Sequence, residues 1–161
     1  MDGYAILEYA RREGRPAALA TLLRAEGHSY RKAGAMMLLP AAGGRLGTIS
    51  PGCLEDDLEE RAVRLAATGE PELVSYDLRP EEDAVWGEEI GCGGRLRIFL
   101  EPLDEAALSG LAEAKRQVDA GARLEWTRRL AGRRIEYGWR RLERPGAGGA
   151  IAGRESGGDD A

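Results

Sequence analysis

The sequence is short of the residues that build metal sites and disulfide frameworks: it holds two cysteines and one histidine in 161 residues. Cys53, Cys92 and His28 together fall one ligand short of a tetrahedral zinc site made from Cys and His alone. Neither cysteine belongs to a C-x-x-C pair, which leaves a thioredoxin-like motif and a zinc ribbon unsupported. No apolar run approaches the roughly 20 residues that cross a bilayer. The start, Met1-Asp2-Gly3-Tyr4, lacks the basic and apolar regions of a secretory signal. The expectation is a cytoplasmic protein without a membrane partner, and in that reducing compartment a structural disulfide is not expected. A surplus of positive charge is missing as well. The formal net charge is −5, which argues against general nucleic-acid binding, since that relies on many Lys and Arg displacing counterions.

What is present is enough apolar residue, 43% of the chain, for one core and most simply one domain. Tyr4, Ile6, Leu7 and Ala10 recur at helical spacing between Asp2, a capping residue, and Gly14, a stop, so a helix is expected over 2–13. The apolar run over 16–24 reads as a buried strand ending at Glu26-Gly27. Ala35 to Leu39 and Arg45 to Ser50 read as a hairpin across the turn 40–44. Leu54, Leu58, Ala62, Leu65 and Ala66 recur at three and four residues behind the acidic first turn Glu55-Asp56-Asp57, which predicts a helix over 54–68 closed by Gly69. Strands follow over 72–77 and 95–100, separated by an acidic connection, then a helix over 103–121. Leu124 to Leu130 and Arg134 to Leu142 form a second hairpin. Beyond Pro145 the composition turns to Gly, Ala, Ser and Asp, which reads as a disordered tail over 145–161. Hairpins outnumber crossovers. The expected fold class is therefore α+β, loosely α/β: a mixed, largely antiparallel sheet with about three helices packed on it, as a single domain over 1–144.

Chemistry concentrates in three glycine-bearing loops. Cys53 closes the turn Ser50-Pro51-Gly52-Cys53 at the start of the 54–68 helix, where unpaired N–H groups and the helix dipole stabilise a thiolate. Like-charge repulsion from Glu55, Asp56 and Asp57 acts the other way. A small buried hydrophobe at a helix start is the alternative reading of Cys53. Gly91-Cys92-Gly93-Gly94 precedes the strand at Arg95, and its successive N–H groups could form an anion-binding nest or could simply make a tight turn. The loop from Gly27 to Gly34 gathers His28, Ser29, Tyr30, Arg31 and Lys32. Arg31 offers a bidentate grip on an oxyanion and Ser29 a hydroxyl, while a solvated turn is the plain alternative. His28 has no partner that would give it a catalytic role. The Arg-rich hairpin after Leu124, interleaved with Trp126, Tyr137 and Trp139, reads as a solvated sheet face before a protein-docking surface, because Glu125, Glu136 and Glu143 share the segment.

The three loops in this order resemble the N-terminal domain of the XdhC/CoxI family, the accessory proteins of xanthine dehydrogenase and related molybdenum hydroxylases. The resemblance rests on Ala18-Leu19-Ala20-Thr21 running into the stretch from Glu26 to Met36, on the stretch from Gly47 to Glu55, and on Trp86-Gly87 followed by Gly91-Cys92-Gly93-Gly94. It implies a chaperone that binds molybdenum cofactor and supports its maturation and insertion into an apo-hydroxylase, rather than an enzyme with turnover of its own. By position, it makes Ser29, Tyr30, Arg31, Ser50, Gly52, Cys53, Gly91, Cys92, Gly93 and Gly94 the cofactor contacts, with Cys53 the candidate contact to molybdenum. Two other functions stay open: a thiol-dependent sulfur-transfer enzyme acting through Cys53, and a non-enzymatic docking module. The partners implied are the apo-hydroxylase, a cysteine desulfurase and a separate Rossmann-domain chain, with homodimerisation open. Where the family commonly has Ser-Gly-Gly-Cys, this chain has Pro51, which removes one N–H from the turn. Many family members continue into a Rossmann-like domain. No dinucleotide fingerprint occurs here, so NAD is not expected.

Overall fold

The computed structural model describes residues 3–27, 31–79 and 94–143, and the backbone of 151–154. Along the chain run α1 (Gly3–Arg12), β1 (Ala17–Glu26), β2 (Met36–Pro40), β3 (Leu46–Gly47), α2 (Glu55–Thr68), β4 (Glu72–Asp77), β5 (Arg95–Leu103), α3 (Glu105–Asp119), β6 (Arg123–Ala131), β7 (Arg134–Leu142) and β8 (Ile151–Arg154). The fold is α+β with mostly antiparallel strands and three helices among the described residues. They divide into two units, one built from residues 15–104 and the other from 3–14 with the chain from Glu105 onward.

The first unit is a five-stranded antiparallel sheet in the order β3-β2-β1-β5-β4. Its centre is β1, whose first six residues are all buried, which is why that segment reads as an uninterrupted apolar run rather than an alternating one. Helix α2 lies on the sheet through Leu54, Leu58 and Leu65, which meet Ala18, Ala20, Leu22, Met37, Leu39, Ile98 and Leu100 in one apolar cluster. Gly69 ends the helix in the left-handed region at φ 69°, its N–H bonding back to the Leu65 carbonyl at 2.7 Å. Ala66 is exposed, so the apolar stripe is narrower than its spacing indicates.

Two departures from the sequence reading matter for function. The strand expected over 45–50 pairs only at Leu46 and Gly47. Gly47, at φ 86°, turns the chain so that Ile49 enters the core and Ser50 turns to α2. In the pairing of β1 with β5 the register slips between Leu22 and Arg24, a bulge that leaves Leu23 without an opposite residue.

Strand direction then places the loops. Chain ends of β1, β3 and β4 and chain starts of β2, α2 and β5 all lie at one end of the sheet, because each neighbouring strand pair is antiparallel. The connections 27–35, 48–54 and 78–94 therefore emerge together, while the turn 41–45 lies at the opposite end.

In the second unit α1 packs on α3, burying Ile6, Leu7 and Ala10 from one and Leu108, Leu111, Ala114 and Val118 from the other. Lys115 is buried to 2% exposure, yet its ammonium stays ionised because Glu8 at 3.0 Å and Asp119 at 2.5 Å hold it, with the Tyr4 ring 4.6 Å away. The hairpin β6–β7 has the expected span and turn. Its charges are paired internally, Arg129 with Glu136 and Arg140 with Glu125. Trp126 is buried and stacked against Tyr137 and Trp139. Strand β8 is a correction: Ile151–Arg154 pairs in parallel with β6 inside the segment read from composition as a tail. Composition registers only what a segment can bury, whereas β8 is held by the open backbone edge of β6.

Candidate functional site

Of the three loops that share one end of the sheet, the one over 48–54 is described in full. Its centre is Ser50, 4% exposed, and Glu55, 3% exposed. The Ser50 hydroxyl donates to Glu55 Oε2 at 2.6 Å and accepts from the backbone N–H groups of Gly52 at 3.2 Å, Cys53 at 3.0 Å and Leu54 at 3.3 Å. Glu55 in turn accepts from the N–H of Ser50 at 2.9 Å and of Leu54 at 3.1 Å. One hydroxyl and one carboxylate thus tie together the N–H groups of the turn that leads into α2, while the N-cap residue Leu54 itself makes no side-chain capping bond. Burial pushes the Glu55 carboxyl upward, but the hydrogen bonds from Ser50, Glu55 and Leu54 outweigh it and hold the group below the ordinary carboxylate range.

This geometry changes the reading of Cys53. The N–H groups of Gly52, Cys53 and Leu54 already donate to Ser50 or Glu55, so they do not form an open backbone nest. The acidic run does not crowd the cysteine either. Glu55 is folded into the turn, Asp56 pairs with Arg45 at 2.6 Å, and Asp57 is held by Arg61 at 2.8 Å and by the Tyr76 hydroxyl. That contact and the Arg61 bond hold Asp57 below its usual range, while burial and Asp57 together raise Tyr76. Cys53 is exposed, contrary to the alternative of a buried hydrophobe. It is also disulfide-bonded, with a partner outside the described residues. The expectation of no disulfide is corrected at this position, since redox compartment is not a geometric constraint and the loops carrying the cysteines leave the sheet at one end.

Arg31 comes to the same loop. Its guanidinium donates to Thr48 Oγ1 at 3.2 Å, two residues before Ser50. Arg31, Thr48, Ser50, Gly52 and Cys53 thus belong to one locality. Gly94 accepts from the Leu78 N–H at 2.9 Å, closing the base of the third loop. Ser29, Tyr30, Gly91, Cys92 and Gly93 lie outside the described residues. Sequence reasoning missed Thr48 and the role of Glu55; the signal available was a Ser and a Glu bracketing a Pro-Gly turn at a helix start. Among the described residues no group of three or more His, Cys, Asp or Glu could hold a metal ion. No helix among them is long and apolar enough to cross a membrane.

The XdhC and CoxI family matches residues 10–77, the stretch that contains the first two of the three loops, and the resemblance carried by those loops holds there. The chain is 40% identical over 89 residues to a protein of Bacillus subtilis (strain 168) named as a probable subunit of xanthine dehydrogenase, covering 55% of this chain and 27% of that protein. A crystal structure from Bacillus halodurans described as a xanthine dehydrogenase superposes with a TM-score of 0.73 at 34% identity, covering 89% of this chain and 43% of that one. The chain thus spans about a quarter of one relative and less than half of the other.

Proposed function

We propose that this protein is a molybdenum-cofactor-binding accessory protein that serves a molybdenum hydroxylase, with the cofactor held at the loop end of the five-stranded sheet. The observation that carries this reading is the shared locality of Arg31, Thr48 and Cys53, on loops that match the XdhC and CoxI family. The donor set fits in part. An exposed cysteine sulfur, once reduced, is a soft ligand suited to molybdenum, and a guanidinium suits the pterin's phosphate. The backbone of 52–54 supplies no such contact, so Ser50 and Gly52 shape the turn that presents Cys53. Ser29, Tyr30, Gly91, Cys92, Gly93 and Gly94 complete the proposed contacts. Bound there, the cofactor would bring its metal and dithiolene sulfurs, and the chain's own part is to hold and orient it.

Reconstitution of the reduced full chain with cofactor is the test. Near-stoichiometric retention that falls in Cys53→Ala and in Arg31→Gln supports the reading, and retention unchanged in both variants overturns it. Exposure of Cys53 favours one further reading, in which its thiolate accepts the terminal sulfur of a desulfurase persulfide and the donor thiolate leaves. Mass spectrometry after incubation with a cysteine desulfurase and its sulfur donor distinguishes it, because only transfer adds one sulfur to Cys53.

A further inference from the structure

On the sheet face opposite α2, two rows of side chains cross β1, β5 and β4 near the loop end. One row is Glu26, Arg95 and Asp77, directly opposite one another. Its charges alternate, with Arg95 3.5 Å from Asp77. The next row is Arg24, Arg97 and Ser75, and it does not alternate. Two guanidinium groups face each other across a strand pair, where opposed like charges are destabilising. Arg24 is drawn to Glu26 at 2.8 Å, and Asp77 is engaged by Arg79 at 2.7 Å. Arg97 is exposed and has no hydrogen bond or ion pair among the described residues. The β1 bulge creates this arrangement, since it brings Arg24 opposite Arg97 instead of Leu96.

Both rows, Glu26–Arg95–Asp77 and Arg24–Arg97–Ser75, line a concavity of about 340 Å³, within the lower range of small-ligand sites. The lining holds three arginines (Arg24, Arg95 and Arg97) against two carboxylates (Glu26 and Asp77). With Arg79, which pairs with Asp77 from outside the lining, the surplus among the described residues is two positive charges. The one guanidinium of the cluster without a carboxylate, Arg97, lies on the row that also carries the Ser75 hydroxyl. We propose that the Arg24–Arg97–Ser75 row is a binding site for a dianionic phosphoryl group carried by a small molecule. Guanidinium forks match tetrahedral oxyanions bidentately, and a charge of −2 neutralises the surplus. The site is separate from the proposed Cys53 locality: it uses the outer face of the sheet and none of the cysteine loop's residues. A concave pocket favours a small ligand over an acidic protein segment.

Calorimetric titration of the full chain tests the proposal, with inorganic phosphate, pyrophosphate and glycerol phosphate as probes and sodium chloride at matched ionic strength as the blank. The expected result is saturable binding that weakens about tenfold or more in Arg97→Gln and Arg24→Gln, from loss of a charge-assisted contact. Arg64→Gln, on exposed α2 surface, leaves it unchanged. Tighter binding of the ester than of inorganic phosphate would identify an organic phosphate as the occupant. The thermal midpoint of unliganded Arg97→Gln should equal or exceed that of the parent, because the opposed charges are relieved. Cys53→Ala should bind phosphate normally, which separates failure here from failure of the cofactor reading. Non-saturable heats, binding unaffected by Arg97→Gln, or capture of a glutamate-rich peptide without phosphate binding would each overturn the proposal.

Discussion

Replacing Ser50 by alanine removes the atom on which the cysteine loop is organised. The hydroxyl accepts from three N–H groups and donates to Glu55. Loss of the oxygen that accepts the turn's N–H groups costs about 0.5–1.5 kcal/mol. Leaving the buried Glu55 carboxylate one charge-assisted hydrogen bond short adds about 1.5–3 kcal/mol. These terms overlap, since one atom serves both, so the expected loss is about 2–4 kcal/mol at pH 7. The pH dependence is more diagnostic. Glu55 has its folded pKa held down, so it contributes stability above the unfolded carboxylate range, and that contribution disappears as pH falls through the folded value. In Ser50→Ala the folded pKa moves up, so the deficit relative to the parent should be largest near neutrality and shrink toward pH 3. Urea unfolding of both proteins at several pH values between 3 and 7 measures this directly. A deficit below about 0.5 kcal/mol at pH 7, a cost typical of an uncritical surface site, would refute the account of Ser50 as the organiser of the turn. A deficit constant across pH would refute the assignment of Glu55 as its ionised partner.

The other expectations are narrower. Tyr76→Phe removes the hydroxyl that bonds Asp57 and should cost about 1 kcal/mol, with the Asp57 pKa rising when followed by NMR. Gly138→Ala would place a methyl 2.6 Å from Thr127 Oγ1, a clash worth about 1–3 kcal/mol; the double variant with Thr127→Ala should recover most of it in thermal melts. Cys53 should resist alkylation in the oxidised protein and label after reduction, as read by intact mass, and labelling without reductant would contradict the bond. Leu58→Ala empties a fully buried position between α2 and the sheet, with an expected loss of about 2–5 kcal/mol by denaturant titration.

Local signals made much of this readable. The stretch α2 shows its period and its terminal glycine, β4 is bounded as expected, and the β6–β7 hairpin is marked by Gly132. What sequence reading missed depends on partners distant along the chain. Helix α1 packs on α3 about a hundred residues away, so the second unit is invisible to any window of sequence. The shortening of β3 follows from Ser50 turning to Glu55, a competition between a ladder bond and a cap that alternation does not encode. The cysteine loop was singled out for its glycines and thiol, but its donors proved committed to Ser50. Likewise the acidic run after Cys53 looked like one block of charge, and the fold sends its three members to three different partners.

The bulge in β1 has a consequence for how the chain tolerates change in length. Side chains alternate between faces, so every residue after a single insertion or deletion in a strand moves to the opposite face. Here one supernumerary residue, Leu23, separates a stretch buried on both sides from a charged end that meets solvent. Deleting Leu23 would close the bulge and leave Arg24 opposite Arg97, its guanidinium still on the face away from α2. A deletion at either neighbouring position is absorbed in the same way, with Leu23 taking the vacated place, whereas a deletion earlier in β1 shifts the phase of the residues between it and the bulge. Strand length in β1 is therefore held by phase over its buried first six residues, and drift in chain length is expected in the hairpin turns and at the bulge.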